Sequence, residues 1–149
     1  MFKKINFMVI SLITLLLISC TNMQPVNNLI HQPIPKDVSN AEVQNAILNA
    51  AGKNDWVAHA TSPGVITATY KSATITISYA GSAYNIIYKS SKNLNEQSGT
   101  INNKYNTWVS KLDASIQDNL NNTSSVQKAN QPSSAASKTS QEANNTSPK

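Results

Sequence analysis

Between Val65 and Lys89 the chain alternates with a period of two, and this run constrains the fold more than any other feature. Val65-Ile66-Thr67-Ala68-Thr69-Tyr70 is rich in β-branched residues and alternates. From Ala73 to Tyr79, Ile75, Ile77 and Tyr79 fall on one side, with Thr74, Thr76 and Ser78 on the other. After the turn signal Gly81-Ser82, Tyr84, Ile86 and Tyr88 share a face opposite Asn85, Ile87 and Lys89. Neighbouring side chains of a strand point to opposite sides, so this pattern describes half-buried antiparallel strands with one apolar face. Trp56 to Ala60 reads as a short strand start, cut off by the turn residues Ser62-Pro63-Gly64.

Two helical patterns bracket these strands. Ser39-Asn40-Ala41-Glu42 fits a capping box, and Val38 and Val43 take the positions of a hydrophobic staple. Val43, Ala46, Ile47 and Ala50 then follow the spacing of one buried helix face, and Gly52 is the expected C′ residue. A second helix is expected from about Asn102, where Tyr105, Trp108, Val109, Leu112, Ile116 and Leu120 form a sustained apolar stripe. The expected fold is α+β: a two-layer α-β-β-β-α domain, its three-stranded antiparallel sheet carrying both helices on its one apolar face. Small residues on the first helix stand opposite large rings on the sheet. That mismatch leaves room for an apolar cleft lined by Val43, Ile47, Tyr79 and Trp108, although close packing of helix on sheet would also absorb it.

The periodic residues lie in 37–121, which is sufficient for a small globular domain. Residues 20–36 carry Pro25, Pro33 and Pro35 among Asn and Gln with no regular period. They read as a tether, with an extended reach of about 45 Å. Residues 122–149 hold Ser, Thr, Asn and Gln with Val126 as the one large apolar residue. Such a segment cannot offset its chain entropy by burial and is expected to be disordered.

The N-terminus is an address. Lys3 and Lys4 precede the apolar run Phe7 to Ile18, too short to span a bilayer and of the length of a signal-peptide core. The chain's one Cys stands at its end, in Leu17-Ile18-Ser19-Cys20. This resembles the bacterial lipobox. The resemblance implies that residues 1–19 are a signal peptide, that diacylglycerol is transferred to the Cys20 sulfur, and that the new N-terminus is acylated. Two or more chains such as palmitate anchor stably where one is marginal. Thr21 after Cys20, in place of Asp, implies sorting to the outer membrane, on its periplasmic or surface face.

Composition excludes several function classes. Without residues 1–19, ten lysines stand against seven acids, scattered singly, and the chain has no Arg. Arg is the preferred reader of bases and phosphates, so nucleic acid is not the expected partner. One Cys and two distant His give no metal-ligand spacing. Asp55, Glu96, Asp113 and Asp118 form no catalytic motif, and there is neither a nucleophile elbow nor a phosphate loop. The expectation is a non-enzyme with no cofactor.

The middle of the chain resembles a family. Pro63-Gly64-Val65-Ile66-Thr67-Ala68, Tyr84-Asn85-Ile86-Ile87-Tyr88-Lys89-Ser90, and Tyr105-Asn106-Thr107-Trp108-Val109 with Leu112 and Ile116 carry the likeness. It is to small Gram-negative outer-membrane lipoproteins to which no reaction is assigned. The whole chain, tail included, resembles virulence-associated surface lipoproteins of intracellular pathogens. The resemblance implies a lipid-anchored α+β domain held in the membrane by its acyl chains. The expected act is interaction with an envelope or host protein. The alternative is a carrier or sensor of a small apolar ligand.

Overall fold

The computed structural model describes residues 22–130. The expected signal peptide (1–19), the expected lipid-attachment residue Cys20 and residues 131–149 lie outside them. The element order is β1 (Met23–Pro25), β2 (Leu29–Pro33), α1 (Asn40–Lys53), β3 (Val57–Ser62), β4 (Val65–Tyr70), β5 (Ala73–Ala80), β6 (Ala83–Ser91), β7 (Thr100–Asn102) and α2 (Asn103–Asn130).

The fold is α+β, but the sheet is larger than expected. It has five strands in the order β2-β6-β5-β4-β3, all antiparallel, and β1 and β7 form a separate two-stranded sheet. The central register pairs Ala68 with Ile75 and Ile77 with Ile86, which keeps the apolar residues of three strands on one face. Ile66, Ile75, Ile77, Tyr84 and Ile86 meet Val43 and Ile47 of α1 and Val109, Leu112 and Ile116 of α2 in one buried cluster.

The added strands come from the segment read as a tether. Its sequence shows no strand period because side-chain amides do part of the pairing. The N–H of Asn27 donates to Asn106 Oδ1 at 3.0 Å, that of Tyr88 to Asn28 Oδ1 at 2.8 Å, and that of His31 to Asn85 Oδ1 at 2.8 Å. β2 also bulges between Leu29 and Gln32, with His31 at φ 56°. Pro33 is tolerated because β2 is an edge strand. Val26 and Leu29 pack on the core and Ile34 is buried in it.

Helix α1 starts as expected. Ser39 accepts from the Glu42 N–H, and the Ser39 N–H donates to Glu42 Oε2 at 2.8 Å. Its end differs: Gly52 is helical, the helix runs to Lys53, Asn54 is the C-cap, and the positive φ falls on Asp55 at 61°.

Helix α2 continues to Asn130, well into the segment expected to be disordered. Polar contacts to α1 and to the turn before it hold this part in place of apolar payload. Gln127 Nε2 donates to Glu42 Oε1 at 2.7 Å, Lys128 pairs with Asp37 at 3.6 Å, and Ser124 is buried. The two helices run antiparallel, with Asn119 Nδ2 donating to Ala46 O at 3.0 Å and Asn54 Nδ2 to Ser115 Oγ at 2.8 Å.

Candidate functional site

Three aromatic side chains from three elements meet beside the C-terminus of α1. Trp56 follows the helix cap and is held there by its N–H, which donates to Ala51 O at 2.9 Å. Tyr70 ends β4, and Trp108 stands in the second turn of α2. The Trp56 and Tyr70 ring centroids are 5.4 Å apart at 36°. Those of Tyr70 and Trp108 are 5.0 Å apart at 89°, an edge-to-face contact that suits the ring quadrupoles. Together with Lys53, Asn54, Asp55 and Lys111, these rings border a cleft of about 330 Å³.

Lys71 covers one side of this cluster. Its Nζ lies 5.0 Å from the Tyr70 centroid and 5.2 Å from that of Trp108, within cation–π range of both. The residue occupies the first position of the two-residue β4–β5 loop at φ 51°, as Gly81 does in the β5–β6 loop at φ 58°. Glycine adopts that backbone freely and lysine does not.

The four residues expected to line a cleft belong to the packed interior instead: Val43, Ile47 and Tyr79 lie in one buried cluster and Trp108 packs against it. Val43 and Ile47 are fully buried in the helix–sheet interior. Tyr79 is buried too, and its hydroxyl donates to Gln44 Oε1 at 2.8 Å. Trp108 borders the cleft described above, where its neighbours are Trp56 and Tyr70. Helical spacing placed Trp108 on the apolar stripe but not at the stripe's edge, where it is half-exposed. The lysines around the rings were also missed, because Lys53, Lys71 and Lys111 are far apart in sequence and only the fold gathers two of them and the turn of the third.

The other polar residues singled out in the sequence are dispersed. His31 and His59 are exposed on β2 and β3, the opposite edges of the five-stranded sheet. Asp113 accepts from the Tyr84 hydroxyl at 2.6 Å, and Gln117 Nε2 donates to the same hydroxyl at 2.9 Å. Burial first, and Asp113 second, push the Tyr84 phenol well above its ordinary range. This network ties β6 to α2. No group of three His, Cys, Asp or Glu placed to hold a metal occurs among the described residues.

The sheet face away from the helices is a second distinctive surface. Across β3 to β6 it presents Val57, Val65, Thr67, Thr74, Thr76 and Ile87, with Lys89 as the one charged residue of its outward positions. Val57 is 74% exposed on the edge strand β3.

Comparison with protein-family models, curated proteins and solved structures finds no match to this chain.

Proposed function

We propose that this chain is a non-enzymatic, lipid-anchored lipoprotein of the outer membrane that acts as an interaction module. It docks an envelope or host protein on the open face of its five-stranded sheet. The observation that carries this reading is the chemistry of that face. Solvated surfaces of small domains are commonly rich in Lys, Glu and Asp, whereas this one offers β-branched and hydroxyl side chains with a single lysine. Desolvating it against a partner would bury apolar area with little charge penalty. The sequence likeness to virulence-associated surface lipoproteins is the reason for proposing host proteins as well as envelope proteins as partners.

A photo-crosslinking residue at Thr67 or Thr76, in intact cells, tests the reading. The expected result is an adduct of one defined mass, absent when the same residue stands at exposed Asn121 on α2. The same adducts from both positions, or none from the sheet, would contradict it. A second reading, as carrier of a small ligand, draws on the Trp56–Tyr70–Trp108 cleft. It would be favoured by a ring-containing molecule copurifying with the protein and lost in Trp108→Ala.

A further inference from the structure

We infer that one pole of the domain, bearing Lys71, Lys89, Lys92, Lys104 and Lys111, docks directly on the anionic phospholipid surface of the leaflet that holds the protein's own acyl chains. The inference rests on the lipid-anchor reading of Cys20 and adds an orientation to it. The chain enters the fold at Asn22, whose backbone oxygen accepts from the Asn103 N–H at 2.8 Å, and β1 then pairs with β7. Two residue steps separate Cys20 from Asn22, a span of at most about 7 Å. An acylated Cys20 therefore holds the β1–β7 end of the molecule against the headgroups.

That end is the basic one. Lys104 lies in the first turn of α2 and Lys111 two turns on. Lys92, at the end of β6, donates its N–H to Ser72 O at 2.9 Å in the β4–β5 loop, and Lys71 of that loop reaches Trp108. Lys89 stands just before the end of β6. All five are exposed, and among the described residues none is in an ion pair; the acids near this end are Glu96 and, across the cleft from Lys111, Asp55. The opposite end carries Lys36 and Lys128 against Asp37 and Glu42, with Asp113 and Asp118 along the middle of α2. Lys53 and Asp55 border the cleft beside Lys111 and offset one another in charge. At 1.5 Å per helical residue, Lys104 and Lys128 are about 36 Å apart.

Two further observations agree. The first turn of α2 contains no acidic residue; among the described residues its N–H groups meet only neutral acceptors, Asn22 O and Asn102 Oδ1, so its positive dipole end faces the same way. The Tyr70–Trp108 pair beside Lys71 also has the amphipathic character of rings that settle at headgroup level.

The test uses the full lipidated protein in vesicles of phosphatidylcholine alone and of phosphatidylcholine mixed with phosphatidylglycerol. Both tryptophans belong to the cleft, so their quenching by headgroup nitroxide lipids reports docking. The expected result is stronger quenching on the anionic vesicles, abolished by high salt. Each lysine near such a surface shifts the docking equilibrium about fivefold, so the combined Lys92→Glu and Lys104→Glu variant should lower it by well over tenfold while still floating with the vesicles. Salt release of the unaltered protein needs no variant to fold. Equal quenching on both vesicles, unmoved by salt, with the protein floating normally, would overturn the docking but leave the anchor intact. Protein that does not float with either vesicle would overturn the anchor and this inference with it.

Discussion

The backbone oxygen of Asn22 accepts a hydrogen bond from the N–H of Asn103, 2.8 Å away, joining the first described residue to the start of the longest helix. Residues 22–33 are thus built into the fold. A lipid anchor at Cys20 would leave no flexible spacer of the kind its prolines suggest.

The end of α2 contributes to stability. A chain ending at Asn130 keeps every contact described above. One ending at Asn121 loses the Gln127–Glu42 hydrogen bond, the Lys128–Asp37 pair and the burial of Ser124. The longer truncation should cost about 1–3 kcal/mol more, from one charge-assisted hydrogen bond with its associated packing. Urea denaturation of the two truncations checks this.

Tyr84 and Tyr105 should respond oppositely to loss of their hydroxyls. Tyr84→Phe removes bonds to Asp113 and Gln117 and should cost about 1.5–3 kcal/mol, the value for hydrogen bonds to a charged group. The Tyr105 hydroxyl is buried with no partner among the described residues. Burial pushes its phenol above the ordinary range. Tyr105→Phe should be neutral or stabilising, because an unpaired buried polar group is removed. Thermal midpoints of the two variants read the contrast.

Two glycines should separate in the same way. Gly52 is helical, and a Cβ there meets nothing within 4 Å. Gly52→Ala should stabilise by about 0.5–1 kcal/mol. Gly64 has φ +75° and a Cβ would lie 2.9 Å from Tyr79 O. Gly64→Ala should destabilise by about 1–3 kcal/mol from the backbone conformation alone. Denaturant midpoints at equal m-value decide both.

The capping box gives a pH dependence. Hydrogen bonds from the Ser39 side chain, then from its backbone, hold the Glu42 carboxyl below its ordinary 4.5. Because the folded value is the lower one, this stabilisation is fully present above pH 4.5 and is lost as pH falls through the folded value. Ser39→Ala should lower stability at neutral pH by about 0.5–2 kcal/mol, and the difference from the unaltered protein should narrow in acid. A difference that widened on acidification would contradict the assignment.

The strands from Val65 to Lys89 were legible because period-two patterning survives wherever one sheet face is buried. The α1 start was legible from Ser39 and Glu42 because capping is local. β2 was not, since Asn27, Asn28 and Asn85 side chains replace regular pairing and His31 bulges the strand. The last turns of α2 were hidden for a different reason. Val126 is 59% exposed, so the helix there is fixed by polar contacts to α1 and to Asp37 before it rather than by an apolar stripe. The aromatic cleft needed the β4–β5 loop to swing Lys71 over Trp108, a relation across 37 residues that no sequence period encodes.

The most direct measurement of the central claim is the intact mass of the protein extracted from membranes, with fragmentation of its N-terminal peptide. The account predicts a chain beginning at Cys20 that carries a diacylglyceryl group on sulfur and an acyl group on its new amino terminus, and no such species from Cys20→Ala. A chain beginning at any other residue, or a free Cys20 thiol, would contradict it.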